Sequence, residues 1–500
     1  MSKFYLTTAI AYTNAKPHLG HALEFVFADI IARYYRAKGT DTYFLTGTDE
    51  HGSKIYKTAK EAGRDTQEFV DDVVQHFYKL AKDLNLTNDD FVRTSSDLHK
   101  RGAQKIWNKL VEADDIYLNS YSGLYCSGCE AFLSEKDLVD GKCTNHMVAP
   151  ELLTEENYFF RLSKYSDKIK DLIKSGELKV YPDVRKNEML AFLNEGLQDV
   201  SFSRPKNILP WGINVPNDDS QVMYVWCDAL TNYLTALGYA DGDTKVAKYW
   251  PCDLHIIGKD ILRFHAGVWI GMLLSAGLPL PKAIGVHGFV TSEGKKMSKS
   301  LGNVVDPLDL LATSPVDAVR FYLAREIPTG DDGDFSKERF NIVYSSDLAN
   351  NFGNLASRVV SMVHKYFNGV VPTITEFKFE PEFADCFKTY CSEIENFDIK
   401  KGIESVLHFM TLLNQYVEET KPWALAKEAK TAELALVMGN LVEGVKRVTY
   451  LMAPYVPNAT LELAKILQID LGLNFEAGFK SVVAEKTLGE ITPLFPRLEI

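Results

Sequence analysis

The run Phe4-Tyr5-Leu6-Thr7-Thr8-Ala9-Ile10, the element Pro17-His18-Leu19-Gly20-His21 and the run Thr42-Tyr43-Phe44-Leu45-Thr46 follow one another near the N-terminus, and their order decides the fold. The first run reads as a buried strand over residues 4–10. From His21 to about Lys38, Leu23, Phe25, Val26, Phe27, Ile30, Ile31, Tyr34 and Tyr35 predict a long amphipathic helix, and Gly39 sits where a C-cap glycine belongs. Residues 42–46 predict a second strand. It ends in the polar cluster Gly47-Thr48-Asp49-Glu50-His51-Gly52. Strand, loop, helix and strand in this order open a parallel α/β sheet. Ligands in such sheets bind at the carboxyl ends of strands, where both polar elements fall.

Working outward, the α/β pattern breaks near residue 115. Residues 116–220 are irregular, hold a cysteine cluster and include the stretch from Arg204-Pro205 to Trp211; they are expected to be an insertion. The pattern resumes with a helix over 221–238, a strand at Leu254–Gly258, a helix over 261–276 and a strand from Ala283 to Val290. The expected organisation is a Rossmann-like catalytic domain split into 1–115 and 221–290, a zinc-bearing insertion at 116–220 and a connecting segment at 291–340. An all-α bundle of its own follows at 341–500. Its helices are expected at 340–367, 381–396, 398–419, 431–453 and 458–468. No internal repeat or low-complexity segment interrupts this order.

Five hundred residues exceed what one core supports and imply several domains. Lys and Arg number 55 against 67 Asp and Glu, a formal charge of −12. A strongly basic whole-chain balance is thereby excluded, and any RNA binding requires a local basic face. No apolar run is long enough to span a bilayer. The N-terminus lacks a basic region, a small-residue cleavage site and an Arg/Ser-rich transit stretch. Seven cysteines, an odd number, fit a reducing compartment. A cytoplasmic protein is expected.

The second informative element is Gly294-Lys295-Lys296-Met297-Ser298-Lys299-Ser300-Leu301-Gly302-Asn303. Two ammonium groups three residues apart, flanked by hydroxyls and glycines, suit a loop that closes on a polyphosphate; a solvated turn is the plain alternative. His18 and His21 belong to the first turn of a helix, whose free N–H groups and positive dipole end favour phosphate. Gly20 lets a ligand approach the backbone. The plain alternative is that the histidines only cap the helix. Together the two elements point to adenylate chemistry on ATP. Lys296 and Lys299 would neutralise charge as pyrophosphate leaves, and no nucleophilic side chain is required.

Cys126-Ser127-Gly128-Cys129 and Cys143-Thr144-Asn145-His146 form a Cys-x-x-Cys and Cys-x-x-His pair, a tetrahedral zinc pattern; a redox role for the first pair alone is the weaker reading. Cys227, Cys252, Cys386 and Cys391 lack partner spacing and are expected as buried small residues. Tyr12, Trp226, Tyr233, Phe264 and His265 fall near predicted strand ends and would line an apolar pocket or simply pack in the core. Asp49 would meet an ammonium group or cap a turn. In the bundle, Asn354 and Arg358 lie one helical turn apart and Trp423 follows Lys421-Pro422. These residues would contact splayed RNA bases, or be a salt bridge and a core residue.

The His-Leu-Gly-His and Lys-Met-Ser-Lys-Ser elements resemble the two signatures of class I aminoacyl-tRNA synthetases. The cysteine insertion, Tyr158-Phe159-Phe160-Arg161-Leu162-Ser163, Asn354-Leu355-Ala356-Ser357-Arg358 and Lys421-Pro422-Trp423 resemble the methionyl-tRNA synthetase family, from about residue 4 to Ile500. The resemblance implies ATP-dependent attachment of methionine to its tRNA through methionyl-adenylate, with Mg2+ accompanying ATP and one Zn2+ per chain on Cys126, Cys129, Cys143 and His146. It implies a methionine pocket of Ala9, Ile10, Tyr12, Asp49, Trp226, Ala229, Tyr233, Ile261 and His265, with Asp49 holding the amino group. His18, Gly20, His21, Asp260, Lys296 and Lys299 would handle ATP, with His18, His21, Lys296 and Lys299 catalytic. Asn354, Arg358 and Trp423 would read the anticodon. Leu230 stands where some members carry proline. The chain ends at Leu498-Glu499-Ile500 without the appendage that dimerises some relatives, so a monomer is expected. The alternatives are a class I synthetase for leucine, isoleucine, valine or cysteine, and a non-catalytic zinc-containing RNA-binding protein.

Overall fold

Alternation along the first two apolar runs divides their side chains between two cores. Leu6 and Phe44, with Ile256 of a later strand, belong to one apolar cluster, and Tyr5, Tyr43, Leu45 and Ile257 to another. The sheet between them is seen in a computed structural model that describes residues 2–126, 131–133, 137–144, 147–296 and 305–497. Its strands are β1 (Lys3–Thr8), β2 (Ala11–Tyr12), β3 (Asp41–Asp49), β4 (Asp90–Arg93), β5 (Lys179–Tyr181), β6 (Leu254–Gly258) and β7 (Ala283–His287). They run in the order β5-β7-β6-β1-β3, with β2 and β4 both on β3, and every pairing is parallel. The expected strand at 4–10 is shorter: β1 stops at Thr8, although the Ala9 N–H still donates to the Ile256 carbonyl at 2.9 Å, and β2 begins at Ala11. The strand expected from Ala283 to Val290 stops at His287. A Cβ on Gly288 would lie 2.1 Å from the Asp331 carbonyl oxygen, so only glycine passes that crossing.

The helix α1 (Leu19–Ala37) is buried on nearly every side rather than amphipathic. The sheet covers one side, and the apolar cluster continues from α1 through α2 (Val316–Glu326) into the C-terminal helices, which cover the other. The bundle therefore shares a core with the sheet instead of owning a separate one. Asp29 on α1 is fully buried at this joint, 2.7 Å from both Arg33 and Arg320. Burial opposes its charge, but the two guanidiniums outweigh that and hold its pKa below the usual range. Arg320 also donates to the carbonyls of Leu84 and Pro454, tying α1, α2 and the bundle together.

The expected insertion at 116–220 is narrower than the sequence pattern suggests. Its projecting part is an antiparallel sheet in which Ile116–Cys126 pairs with Glu151–Phe160, flanked by Ala131–Leu133 and Val200–Ser201. Lys179–Tyr181 lies inside the same span, yet it is β5 of the main sheet. The helix expected at 221–238 also differs. Residues Asp218–Met223 form a strand against Ser203–Pro205 and Asn214–Val215, and helix follows only at Val225–Ala229. The helix expected over 261–276 divides into a 3-10 turn at Lys259–Ile261, a π-helical stretch at Phe264–Trp269 and an α-helix at Ile270–Ser275.

The C-terminal helices fall close to their expected places: a helical run made of Lys337–Val343, the π-helical Tyr344–Gly353 and Asn354–Phe367, then Glu380–Glu395, Ile399–Thr420, Thr431–Met452 and Pro457–Leu467, with the short Pro422–Lys427 between Ile399–Thr420 and Thr431–Met452. Cys227, Cys252 and Cys386 are buried as expected, whereas Cys391 is only partly so. Among the described residues no helix is long and apolar enough to cross a membrane.

Candidate active site

The carboxyl ends of β1, β3, β6 and β7 open onto one cleft of 1190 Å³. Ala9, Ile10, Tyr12 and Asp49 line it from the first strands. Trp226 and Ala229 enter from the short helix α3 (Val225–Ala229), and Tyr233 from the turn after it. Ile261 and His265 enter from the segment after β6. His18, Gly20, His21 and Asp260 line the same cleft. Residues far apart in sequence and assigned to methionine or ATP thus meet on one surface, as does Leu230. Lys296 is described only through its backbone, in the hairpin of Val290–Ser292 and Lys295–Lys296. Lys299 lies outside the described residues.

His18 and His21 do cap α1. The Gly20 N–H donates to His18 Nδ1 and the His18 N–H donates to His21 Nδ1, both at 3.1 Å. The rings stack with centroids 3.9 Å apart. Protein around the cleft strips water from both rings and lowers both pKa values, that of His21 well below the ordinary histidine range. With Nδ1 accepting in each neutral ring, the proton sits on Nε2, leaving two N–H donors at the helix N-terminus suited to phosphate oxygens. Capping and phosphate binding are therefore compatible. Gly20 leaves room for the capping ring, since a Cβ there would come within 2.9 Å of the His18 ring.

The apolar end of the cleft has a defined hydrogen-bond order. The His265 Nδ1–H donates to the Ile261 carbonyl at 3.0 Å, so Nε2 accepts from the Tyr233 hydroxyl at 2.6 Å. Burial lowers the His265 pKa to about 4 and raises that of Tyr233 far above its ordinary value, so neither carries charge at neutral pH. Trp226 stacks on Phe264 at 3.9 Å with planes 4° apart and meets the His265 ring edge-on. This wall of the cleft is thus aromatic and uncharged. Asp49, only 8% exposed at the end of β3, supplies a carboxylate beside it. Its Oδ1 accepts the His51 N–H at 3.3 Å, so the turn-capping alternative also describes it.

Sequence reasoning missed Glu24 and His287, which line the cleft together. Glu24 lies one turn after His21 on α1, and His287 ends β7, where a carboxyl-end rule flags it. His287 Nε2 lies 2.9 Å from Glu24. Burial opposes its charge, but the carboxylate outweighs that and raises its pKa.

Two further groups lie away from the cleft. Cys126 and Cys143 are both buried, and the Met147 N–H donates to the Cys143 carbonyl at 2.8 Å. Cys129 and His146 lie outside the described residues, and among the described residues no group of three or more His, Cys, Asp or Glu side chains is placed to hold a metal ion. On the bundle, Arg358 pairs with Glu418 at 2.7 Å and its guanidinium lies 5.9 Å from the Trp423 ring. The salt-bridge alternative for Arg358 is thus real, whereas Trp423 is 43% exposed and is no core residue. Asn354 is exposed one turn before Arg358 on the same helix face.

Comparison with known proteins agrees with this geometry. The family described as "tRNA synthetases class I (M)" matches residues 4–147 and 133–360. The methionine--tRNA ligase of Caldanaerobacter subterraneus subsp. tengcongensis is 43% identical, covering 99% of this chain and 79% of its own. That of Thermotoga maritima is 42% identical, covering 92% and 74%. Among solved structures, Mycobacterium tuberculosis methionyl-tRNA synthetase in complex with methionyl-adenylate superposes with a TM-score of 0.94 at 38% identity, covering 99% of this chain and 100% of the other. Its free form superposes at 0.87 and 35%, covering 100% and 99%.

Proposed function

This chain belongs to the methionyl-tRNA synthetase family of class I tRNA synthetases, and from that premise we infer a two-step reaction in its cleft. It is an enzyme that attaches methionine to tRNA at the expense of ATP through methionyl-adenylate. A methionine carboxylate oxygen bonds to the α-phosphorus of ATP, the bond from that phosphorus to the bridging oxygen breaks, and pyrophosphate leaves. A hydroxyl of the tRNA's terminal ribose then attacks the acyl carbonyl and AMP departs. The convergence of the amino-acid and phosphate-facing residues on one cleft carries this reading. His18 and His21 donate Nε2–H to phosphate oxygens, Asp260 lies against the nucleotide and Asp49 pairs with the α-ammonium. Lys296 and Lys299 neutralise the departing pyrophosphate. Mg2+ bound to ATP would supply counter-charge to its phosphates.

Tyr12, Trp226 and His265 wrap the thioether, since sulfur gains on the order of 0.3–1.5 kcal/mol against aromatic edges. Amino-acid-dependent ATP–pyrophosphate exchange, run with each of the twenty amino acids, tests the assignment. Methionine is expected to exchange fastest, with norleucine moderately active because one altered methylene discriminates by only about 1–3 kcal/mol. Faster exchange with leucine, isoleucine, valine or cysteine would overturn it.

Cys126 and Cys143 are buried, and with Cys129 and His146 they would supply the three thiolates and one imidazole of a tetrahedral zinc site. Zinc there would brace the end of the projecting sheet and take no part in the chemistry. Metal analysis should return about one zinc per chain, lost in Cys143→Ser. Metal-free protein with full activity would refute the site.

Asn354, Arg358 and Trp423 form the proposed anticodon-reading surface. Trp423→Ala should leave exchange intact and weaken charging by the roughly 1–3 kcal/mol of one base stack. Equal loss of both activities would return Trp423 to a purely structural role.

A further inference from the structure

Asp49 and Trp226 must hold a fixed spacing if one cleft is to grip both the ammonium and the side chain of an amino acid. They sit on separate elements, the end of β3 and α3. The two elements are joined behind the cleft by a buried cluster. Asp228 is two residues after Trp226 and one before Ala229. His51 Nδ1 donates to its Oδ2 at 2.6 Å, and His99 Nε2 donates to its Oδ1 at 2.7 Å. Asp228 and His99 are fully buried and His51 is 3% exposed. His51 therefore holds both walls: its backbone N–H reaches the Asp49 carboxylate and its ring reaches Asp228. His99 adds a third anchor, its Nδ1 lying 2.7 Å from the Thr235 hydroxyl. A Cβ on Gly102 of the same helix would fall 2.3 Å from Thr235, so that helix packs directly on the turn after α3.

We propose that Asp228 is a positioning residue for amino-acid recognition, acting through His51 and His99 to fix the Trp226–Ala229 wall against the Asp49 carboxylate. The inference rests on the reading that this cleft binds methionine. A buried carboxylate with two imidazole donors has few alternative arrangements, because moving α3 would leave a charge without its partners. Burial alone would raise the Asp228 pKa, but the imidazoles bring it to about 2, so the anchor stays ionised through the physiological range.

The test compares wild-type, Asp228→Asn, His51→Gln and the double variant in pyrophosphate exchange, with thermal melting as a control. Asp228→Asn keeps the shape but removes one of the two acceptors. It should raise the KM for methionine tenfold or more while the KM for ATP stays within twofold. The double variant should raise it no further than the worse single change, because both break one link. If Asp228→Asn does not fold, His51→Gln and His99→Gln decide by the same split of KM values. An unchanged methionine KM, or equal rises for methionine and ATP, would overturn the proposal, as would activity lost only in step with folded protein. Failure of the wild-type protein to exchange with methionine would instead overturn the reading of the cleft.

Discussion

Lys299→Ala is expected to slow methionyl-adenylate formation by a hundredfold or more while changing ATP binding far less. The ground state and the transition state differ in where negative charge lies. As the carboxylate oxygen closes on the α-phosphorus, charge moves onto the leaving pyrophosphate, and an ammonium aimed there gains most at that moment. Loss of about 3 kcal/mol of such stabilisation corresponds to a little over a hundredfold in rate. Lys299 lies outside the described residues, but the stem leading to it is anchored. Val290–Ser292 pairs with Lys295–Lys296 on one side and Gly333–Phe335 on the other, and His287 through Val290 line the cleft. Three residues past that stem, the chain extends at most about 10 Å further. Single-turnover kinetics separate the alternatives. A weaker ATP dissociation constant with an unchanged rate constant would make Lys299 a ground-state binder and contradict the role argued here.

The first strand, helix and strand were legible because their signals are local. Leu6 and Phe44 alternate with Tyr5 and Tyr43 along the strands, and the polar elements follow at the strand ends, where the cleft opens. What escaped notice depends on partners distant in sequence. A three-residue strand such as Lys179–Tyr181 has no period to detect, so its place beside β7 emerges only from the pairing. Asp218–Met223 becomes a strand through neighbours at 203–205 and 214–215. Burial of α1 on its second side depends on the C-terminal helices, and an apolar face in the sequence does not say what covers it.

The same division runs through the cleft. His18 and His21 were visible as a spaced pair, yet their tautomer follows from which backbone N–H each Nδ1 accepts. Glu24 and His287 carry no motif, and 263 residues of sequence separate the two partners. Asp228 reads as one acid among many until His51 and His99 are brought onto it.

Asp49→Ala is expected to lower kcat/KM for methionine between roughly thirtyfold and several-thousandfold, the range spanned by removing one partner of a buried ion pair at about 2–5 kcal/mol. Most of that cost arises from leaving the substrate ammonium out of water without a counter-charge. The fold fixes the place of this carboxylate. Asp49 ends β3 opposite Tyr12 of β2, its carbonyl accepts from the Thr13 N–H at 3.0 Å, and its Oδ1 accepts from the His51 N–H. Alanine removes the charge and the turn contact together, so a second variant must divide them. Asn keeps the acceptor for His51 and abolishes the charge. If ion pairing dominates, Asp49→Asn should lose most of what Asp49→Ala loses, while the ATP dissociation constant stays within about twofold for both. If the turn contact dominates, Asp49→Asn should behave as wild type and only Asp49→Ala should fail. Near wild-type exchange by Asp49→Asn would therefore remove Asp49 from amino-acid recognition and leave it as the cap of the loop that carries His51.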